Sequence, residues 1–172
     1  NIAIRNIKTP INITIRNNVA ATGNFNLGSG DGSLTFDGGD FSGVTSFDGG
    51  DGTDSLTFRN VTGTVASGAI TGMESVTIGT AANVTFGGTV DASATIDFGA
   101  QLSLSGTVTG ALNNNGTFTT DGLATVSGQM TNIGDINVAT GKALSPDGNL
   151  DNFGGVNLTG GSVTGSGTVN NF

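Results

Sequence analysis

The chain contains no cysteine, histidine, tryptophan or tyrosine among its 172 residues, and only two prolines. Without cysteine there is no disulfide framework and no thiolate metal site, although the compartment stays open. Without histidine or cysteine the usual general bases and nucleophiles are missing. Charge is scarce too: five basic and 13 acidic residues leave a net charge of −8, and charged residues make up only 10% of the chain. An acidic chain so short of lysine and arginine is a poor partner for nucleic acid or an anionic membrane. No stretch approaches the roughly 18 consecutive apolar residues of a membrane-spanning helix, so no membrane insertion by this segment is expected. No signal peptide is visible. The chain begins at Asn1 without methionine and stops at Phe172, as expected of a processed or excised piece of something longer.

What is abundant is glycine, 31 residues of it, with threonine, asparagine and serine. Disordered chains combine low hydrophobicity with high charge and few β-branched or aromatic residues. Here 35% of residues are apolar, many are Val, Ile or Phe, and they alternate with Thr, Ser and Asn. That alternation forms strands.

The strands repeat. Leu112-Asn-Asn-Asn-Gly116, Met130-Thr-Asn-Ile-Gly134, Leu150-Asp-Asn-Phe-Gly154 and Val169-Asn-Asn-Phe172 start 18, 20 and 19 residues apart. A period near 20 signals stacked, chemically similar units. Upstream, Ile70-Thr-Gly-Met73 and Val90-Asp-Ala92 fall at the same interval and are assigned to the slot of Leu112. Six residues into each unit comes a triplet: Val76-Thr-Ile78, Ile96-Asp-Phe98, Phe118-Thr-Thr120, Ile136-Asn-Val138 and Val156-Asn-Leu158. A third apolar slot follows at Val84/Phe86, Leu102/Leu104, Val126, Leu144 and Val163. Three short strands per coil of about 20 residues, with Gly or Asn at the corners, predict an all-β chain folded as a single-stranded parallel β-helix (a β-solenoid). Coils stack about 4.8 Å apart, so eight or nine of them make a rod of about 40 Å.

Stacking brings equivalent positions together. Asn114, Asn132, Asn152 and Asn171 are therefore expected to form a ladder at one corner, each amide bonding the next. Gly116, Gly134 and Gly154 are expected to let the chain turn beside it.

Two segments stand apart. Residues 1–30 hold Arg5, Lys8 and Arg16, three of the five basic residues, with no acid. Ile2 and Ile4, then Ile11, Ile13 and Ile15, alternate around Pro10, as half-buried strands do with an edge or turn proline between them. This segment is read as a first coil capping the stack, or as one that pairs with a neighbouring molecule. Residues 31–58 are acidic and Gly-rich, with Phe36-Asp-Gly-Gly-Asp40 echoed by Phe47-Asp-Gly-Gly-Asp51; residues 59–172 carry the regular coils.

Candidate chemistry is concentrated in the acidic segment. Gly49-Gly-Asp-Gly-Thr-Asp-Ser-Leu-Thr57 fits a calcium-binding nonapeptide, and its oxygen-rich turn suits a hard cation, with Asp48, Asp51 and Asp54 as ligands. Such sites need tandem copies, and none follows, so an ordinary acidic turn is the simpler expectation. A paired-carboxylate glycosidase drawing on Asp37, Asp40, Asp48 and Asp51 is formally open, but all four sit in glycine turns that need no catalytic explanation. The chain is read as no enzyme and as needing no cofactor, calcium excepted. Ice binding requires a regular Thr-x-Thr array on one flat face; Thr107-Val-Thr109 and Thr117-Phe-Thr119 do not recur at the coil period. Asn12, Asn60, Asn83, Asn115 and Asn157 match the N-x-[ST] acceptor pattern, which chance supplies in so Asn- and Thr-rich a chain.

Ser166-Gly-Thr-Val-Asn-Asn-Phe172, Leu112-Asn-Asn-Asn-Gly-Thr-Phe118 and Phe47-Asp-Gly-Gly-Asp-Gly-Thr-Asp-Ser-Leu-Thr-Phe58 resemble the passenger regions of bacterial autotransporters and filamentous-haemagglutinin-like adhesins, with one RTX-like nonapeptide among them. The resemblance covers about residues 25–172 and is one of repeat style. It implies a right-handed β-helix displayed outside the cell, as a stalk or adhesin segment. Its partners would be further copies of itself, as in a filament or surface layer, or a receptor on a host or neighbouring cell.

Overall fold

The computed structural model describes residues 11–17, 19–65 and 70–172. The N-terminal stretch with Ile2, Ile4, Arg5, Lys8 and Pro10 lies outside the described residues. Every regular element within them is a strand, and none is a helix. No helix is therefore long and apolar enough to cross a membrane among them.

The strands lie in three parallel sheets. Sheet A runs through β1 (Asn12–Arg16), β3 (Ser33–Asp37), β5 (Ser55–Arg59), β8 (Ser75–Ile78), β11 (Ser93–Ile96), β14 (Leu112–Asn114), β17 (Met130–Asn132), β20 (Leu150–Asn152) and β23 (Val169–Asn171). Sheet B holds β2 (Ala20–Asn26), β4 (Asp40–Asp48), β7 (Ile70–Thr71), β10 (Thr89–Val90), β13 (Thr107–Val108), β16 (Leu123–Val126), β19 (Ala143–Pro146) and β22 (Ser162–Val163). Sheet C holds β6 (Thr62–Val65), β9 (Asn83–Phe86), β12 (Gln101–Leu104), β15 (Thr117–Thr120), β18 (Asp135–Ala139) and β21 (Gly155–Thr159). Each strand pairs with the one a full coil later, giving a β-solenoid of about eight turns. Steps between paired residues run from 23 (Phe47 to Ile70) down to 16 (Gln101 to Thr117).

The solenoid reaches further back than the repeat suggests. β1 pairs residue for residue with β3, and β2 pairs with β4 through two shifts of register, so the chain from Asn12 already belongs to the stack. Three strands per coil holds from β5 onward. The two coils before it have only two, because β4 is nine residues long and its first part covers the side that sheet C later occupies. Phe41, near the start of β4, packs directly under Gly63 of β6, where a Cβ would meet the ring at 2.7 Å.

The phase of the upstream coils also differs from that expected. Ile70 and Val90 do not share the column of Leu112; they lie in sheet B with Phe47, Val108 and Val126. The column of Leu112 continues upstream through Ala94, Val76, Leu56 and Leu34. The triplet of Phe118 continues through Leu102 and Val84, not through Ile96 and Val76. Phe98, expected inside, is 87% exposed.

Inside, side chains stack on like side chains. In the first coils the core is phenylalanine: Phe36 on Phe58 with ring centroids 5.8 Å apart and nearly parallel, Phe25 on Phe47 at 6.2 Å, and Phe41 against Phe58 at 4.9 Å. Further along it becomes Val, Ile, Leu and Ala. The inner column of sheet A shows the change most plainly. It runs Ile15, Phe36, Phe58, Ile78, Ile96 and then switches to Asn114, Asn132, Asn152 and Asn171. Beside these asparagines, Gly134 stands so close to the preceding coil that a Cβ would lie 2.0 Å from the Gly116 carbonyl oxygen. Neither glycine, nor Gly154, has a positive φ. The chain bends at each of these glycines, and close approach of stacked backbones, not a positive φ, is what requires glycine there.

Candidate functional site

Three features of the solenoid carry its polar chemistry: the asparagine column, the acidic corner and the outer face of sheet A.

The asparagine column is interior. Asn114 and Asn132 are fully buried and Asn152 nearly so. Each side-chain amide donates to the next carbonyl oxygen: Asn114 Nδ2 to Asn132 Oδ1 at 2.6 Å, Asn132 to Asn152 at 2.7 Å, and Asn152 to Asn171 at 2.6 Å. The second amide hydrogen goes to backbone carbonyls, such as Asp135 for Asn114 and Gly134 for Asn132. Asn114 Oδ1 also accepts from the Gly116 amide at 3.2 Å. A buried amide side chain needs these partners, and like-on-like stacking supplies them at every rung. The asparagines lie at the inner ends of β14, β17, β20 and β23, within the sheet.

The acidic corner is built where sheet B turns into sheet A over successive coils. Gly28, Gly50 and Gly72 hold positive φ angles of 98°, 89° and 59°, a conformation that only glycine adopts without strain. This tight turn places the carboxylates in different roles. Asp48 accepts from the Asn26 side chain at 2.5 Å and from the Gly50 amide at 3.1 Å. Asp51 is exposed to solvent. Asp54 is turned inward, 1% exposed, with neither carboxyl oxygen hydrogen-bonded. The three residues picked out as calcium ligands are thus not gathered on one point, and no group of three carboxylates placed to hold a metal exists among the described residues. The donor set does not fit a calcium ion.

Burial is the main influence on Asp54, raising its pKa above the ordinary value. The Gly32 backbone works against this, while the carboxylates of Glu74, Asp31 and Asp48 push it higher still. Glu74 and Asp31 are themselves engaged, accepting from the backbone amides of Asp54 and Thr53. A group whose pKa is higher folded than unfolded contributes most below its unfolded value, and that contribution is lost as pH rises through the folded one. Asp54→Asn is therefore expected to gain stability over the parent at neutral pH, with the difference shrinking toward acid. Denaturation midpoints of both chains across pH check this; parallel pH profiles would refute it.

Asp37 and Asp40, the other candidate carboxylates, are shifted the opposite way. The Asn60 side chain donates to Asp37 at 2.7 Å and Arg59 lies 3.3 Å from it, and these hold its carboxyl below the usual range. The Ser42 amide does the same for Asp40 from 2.8 Å. A general acid needs a raised pKa, so neither is suited to the proton-donating half of a glycosidase pair. Of the five acceptor-pattern asparagines, Asn12, Asn60, Asn83 and Asn157 are exposed and Asn115 is half-buried. Asn12, Asn60 and Asn157 already bond neighbouring coils through their side chains.

On the outside of sheet A, Ser33, Ser55, Ser75 and Ser93 stand in register as one column. Thr14, Thr35, Thr57, Thr77 and Thr95 form a second column two residues along each strand. The period shows this pairing only once the strands are correctly phased. A shallow hollow of about 340 Å³ lies at the edge of this region, between Met73, Glu74, Asp91 and Thr109.

Compared with known proteins, the chain matches no family model, and no curated protein or solved structure is significantly similar to it.

Proposed function

We propose that the chain is a structural segment of an extracellular bacterial surface protein, a stiff β-helical stalk or adhesin module. The observation that carries the proposal is the unbroken rung-to-rung pairing of sheet A, nine strands from Asn12 to Asn171. A chain built this way devotes its length to a rod, with backbone bonds running along the axis. Repeats of adhesin style, a sparsely charged polar surface and an interior filled by side chains all suit a spacer that holds something away from a cell.

Small-angle scattering and electron microscopy of the purified chain should give discrete rods about 40 Å long. Beads coated with it should adhere to host or neighbouring bacterial cells above an albumin-coated control. Adhesion equal to the control would remove the adhesin half of the proposal, and a spherical particle would remove both halves. A second reading is a filament formed head to tail through the last coil described. There Leu158, Val169 and Phe172 are half or more exposed beside strands with open backbone groups, a template for another strand. A further coil, from a continuation of this chain or from a second copy, would cover them; long fibres in the same micrographs would select this reading.

A further inference from the structure

The outer face of sheet A carries a property that the stalk role does not call for. Over four successive rungs each strand shows the same outward pair: Ser33 and Thr35, Ser55 and Thr57, Ser75 and Thr77, Ser93 and Thr95, all in direct register. A fifth rung, Asn12 and Thr14, continues the threonine column, with Ser33 donating to Asn12 Oδ1 at 2.6 Å. Neighbouring rungs of a stacked sheet lie about 4.8 Å apart, and residues i and i+2 of one strand about 6.6–6.8 Å apart. The hydroxyls therefore form a near-rectangular lattice. Threonine is stiff at χ1, so each hydroxyl and methyl is held in place before anything binds.

Two further observations bear on this face. Some outward polar side chains are tied to one another across rungs: Thr109 donates to Asp91 at 2.7 Å, Asn157 to Asn137 at 3.0 Å and, in the last coils of sheet A itself, Asn170 to Asp151 at 2.7 Å. Among the described residues, no such side-chain bond engages Thr35, Thr57, Thr77 or Thr95. Their donors and acceptors are left to water. Charge is also absent from both columns over these rungs; the nearest ion pair, Arg59 with Asp37, sits at the border and neutralises itself. Sheets B and C each carry a single hydroxyl column, Thr89, Thr107, Thr125 and Ser145 on the one and Thr64, Thr85, Ser103 and Thr119 on the other. Beside them stand Asp91 and Asp147, just past the sheet B strands, and Asn83, Gln101 and Asp135 on sheet C, so the double Ser and Thr column belongs to sheet A.

We infer that this Ser/Thr face binds a crystalline array of water, the surface of ice. A charged side chain holds a hydration shell that does not fit the ice lattice. A neutral hydroxyl offers one donor and two acceptors, and hydroxyls repeating at intervals comparable to the oxygen rows of ice can seat waters already in lattice positions. Ordering such waters costs at most about 2 kcal/mol each, and much less where they are ordered beforehand. The methyl groups lie between them and exclude disordered water. With four or five rungs the face is about 20 Å tall, so adsorption and slowed recrystallisation are the expected activities.

The full chain, labelled at its amino terminus, should be enriched several-fold in a slowly grown ice hemisphere over a labelled albumin control. The double variant Thr57→Lys with Thr77→Lys should fall to the control level while keeping the parent's circular dichroism spectrum and melting temperature. Ser103→Lys, on the outer face of sheet C, should remain enriched. Should the lysine pair disturb folding, Thr57→Ala with Thr77→Ala tests the same face and should lose most of the enrichment. Exclusion of the parent chain from ice, or equal enrichment of parent and a folded sheet A variant, would overturn the inference.

Discussion

Phe58→Ala should lower stability by about 3–5 kcal/mol, the range for a fully buried phenylalanine whose site cannot collapse. Phe58 has no exposed surface and is the hub of the aromatic core. Its ring lies 4.9 Å from Phe41, 5.8 Å from both Phe36 and Phe47, and 6.2 Å from Phe86. Those partners come from the coils before and after its own, so the cavity would open several rungs at once. Urea denaturation followed by circular dichroism measures the loss. Phe98→Ala is the control: at 87% exposure it should change stability by no more than about 0.5 kcal/mol. Because each coil touches only its neighbours, a weakened aromatic end also has a particular signature. The single transition should broaden or split, as expected for a nearly one-dimensional stack. A Phe58 variant as stable as the parent would mean that the aromatic rings are not packed as described.

Asn132→Ala should cost roughly 1–3 kcal/mol, the penalty for stranding buried hydrogen-bonding groups. Asn132 is the middle rung. Its oxygen accepts from Asn114, and its amide donates to Asn152 and to the backbone carbonyls of Gly134 and Gly155. Truncation leaves Asn114 Nδ2 without its ladder acceptor and Asn152 Oδ1 without its donor, both in places that water does not reach. The upstream half of the same column is filled by Phe58, Ile78 and Ile96, so the backbone accepts apolar residues at these positions. Replacing Asn114, Asn132 and Asn152 together by isoleucine should therefore cost less than three times the single truncation, because no amide side chain is stranded within the buried rungs and only the Gly116 amide and Asn171 at the end of the ladder lose a partner. An unchanged denaturation midpoint for Asn132→Ala would show that the ladder contributes nothing to stability.

The architecture could be read from the chain because its last coils repeat so closely. An apolar residue, an asparagine two places on and a glycine near the corner fixed the period from Leu112 onward. Upstream, the period was kept and the phase was lost. Each coil carries three similar apolar segments, so an interval near 20 allows three alignments, and the two residues that would decide between them are disguised. Ala94 stands where a large apolar residue is expected, and Ile96 occupies the place later held by Asn114. The hydroxyl face was hidden by the same slip, and because its first column is serine. Neither Ser-Leu-Thr nor Ser-Val-Thr answers to a search for Thr-x-Thr.

The acidic corner was misleading for a different reason. In sequence, Asp48, Asp51 and Asp54 look like equivalent oxygen donors at even spacing. Burial distinguishes them: one caps the turn, one faces water and one lies within the wall. Even spacing in an irregular turn does not set direction, whereas in a strand it does. The asparagine column lies in strands, and there spacing alone placed the side chains correctly.

The register of the stacked coils underlies the asparagine column, the hydroxyl face and the aromatic core alike. Since the chain has no cysteine, it can be tested with introduced pairs. Thr77 and Thr95 stand opposite each other on adjacent rungs, about 4.8 Å apart, within the separation that a disulfide spans. Thr77→Cys with Thr95→Cys should cross-link within one chain under mild oxidation, while Thr77→Cys with Asp97→Cys, the pair demanded by the slipped alignment, should stay reduced. Ready cross-linking of the second pair and not the first would contradict the fold itself.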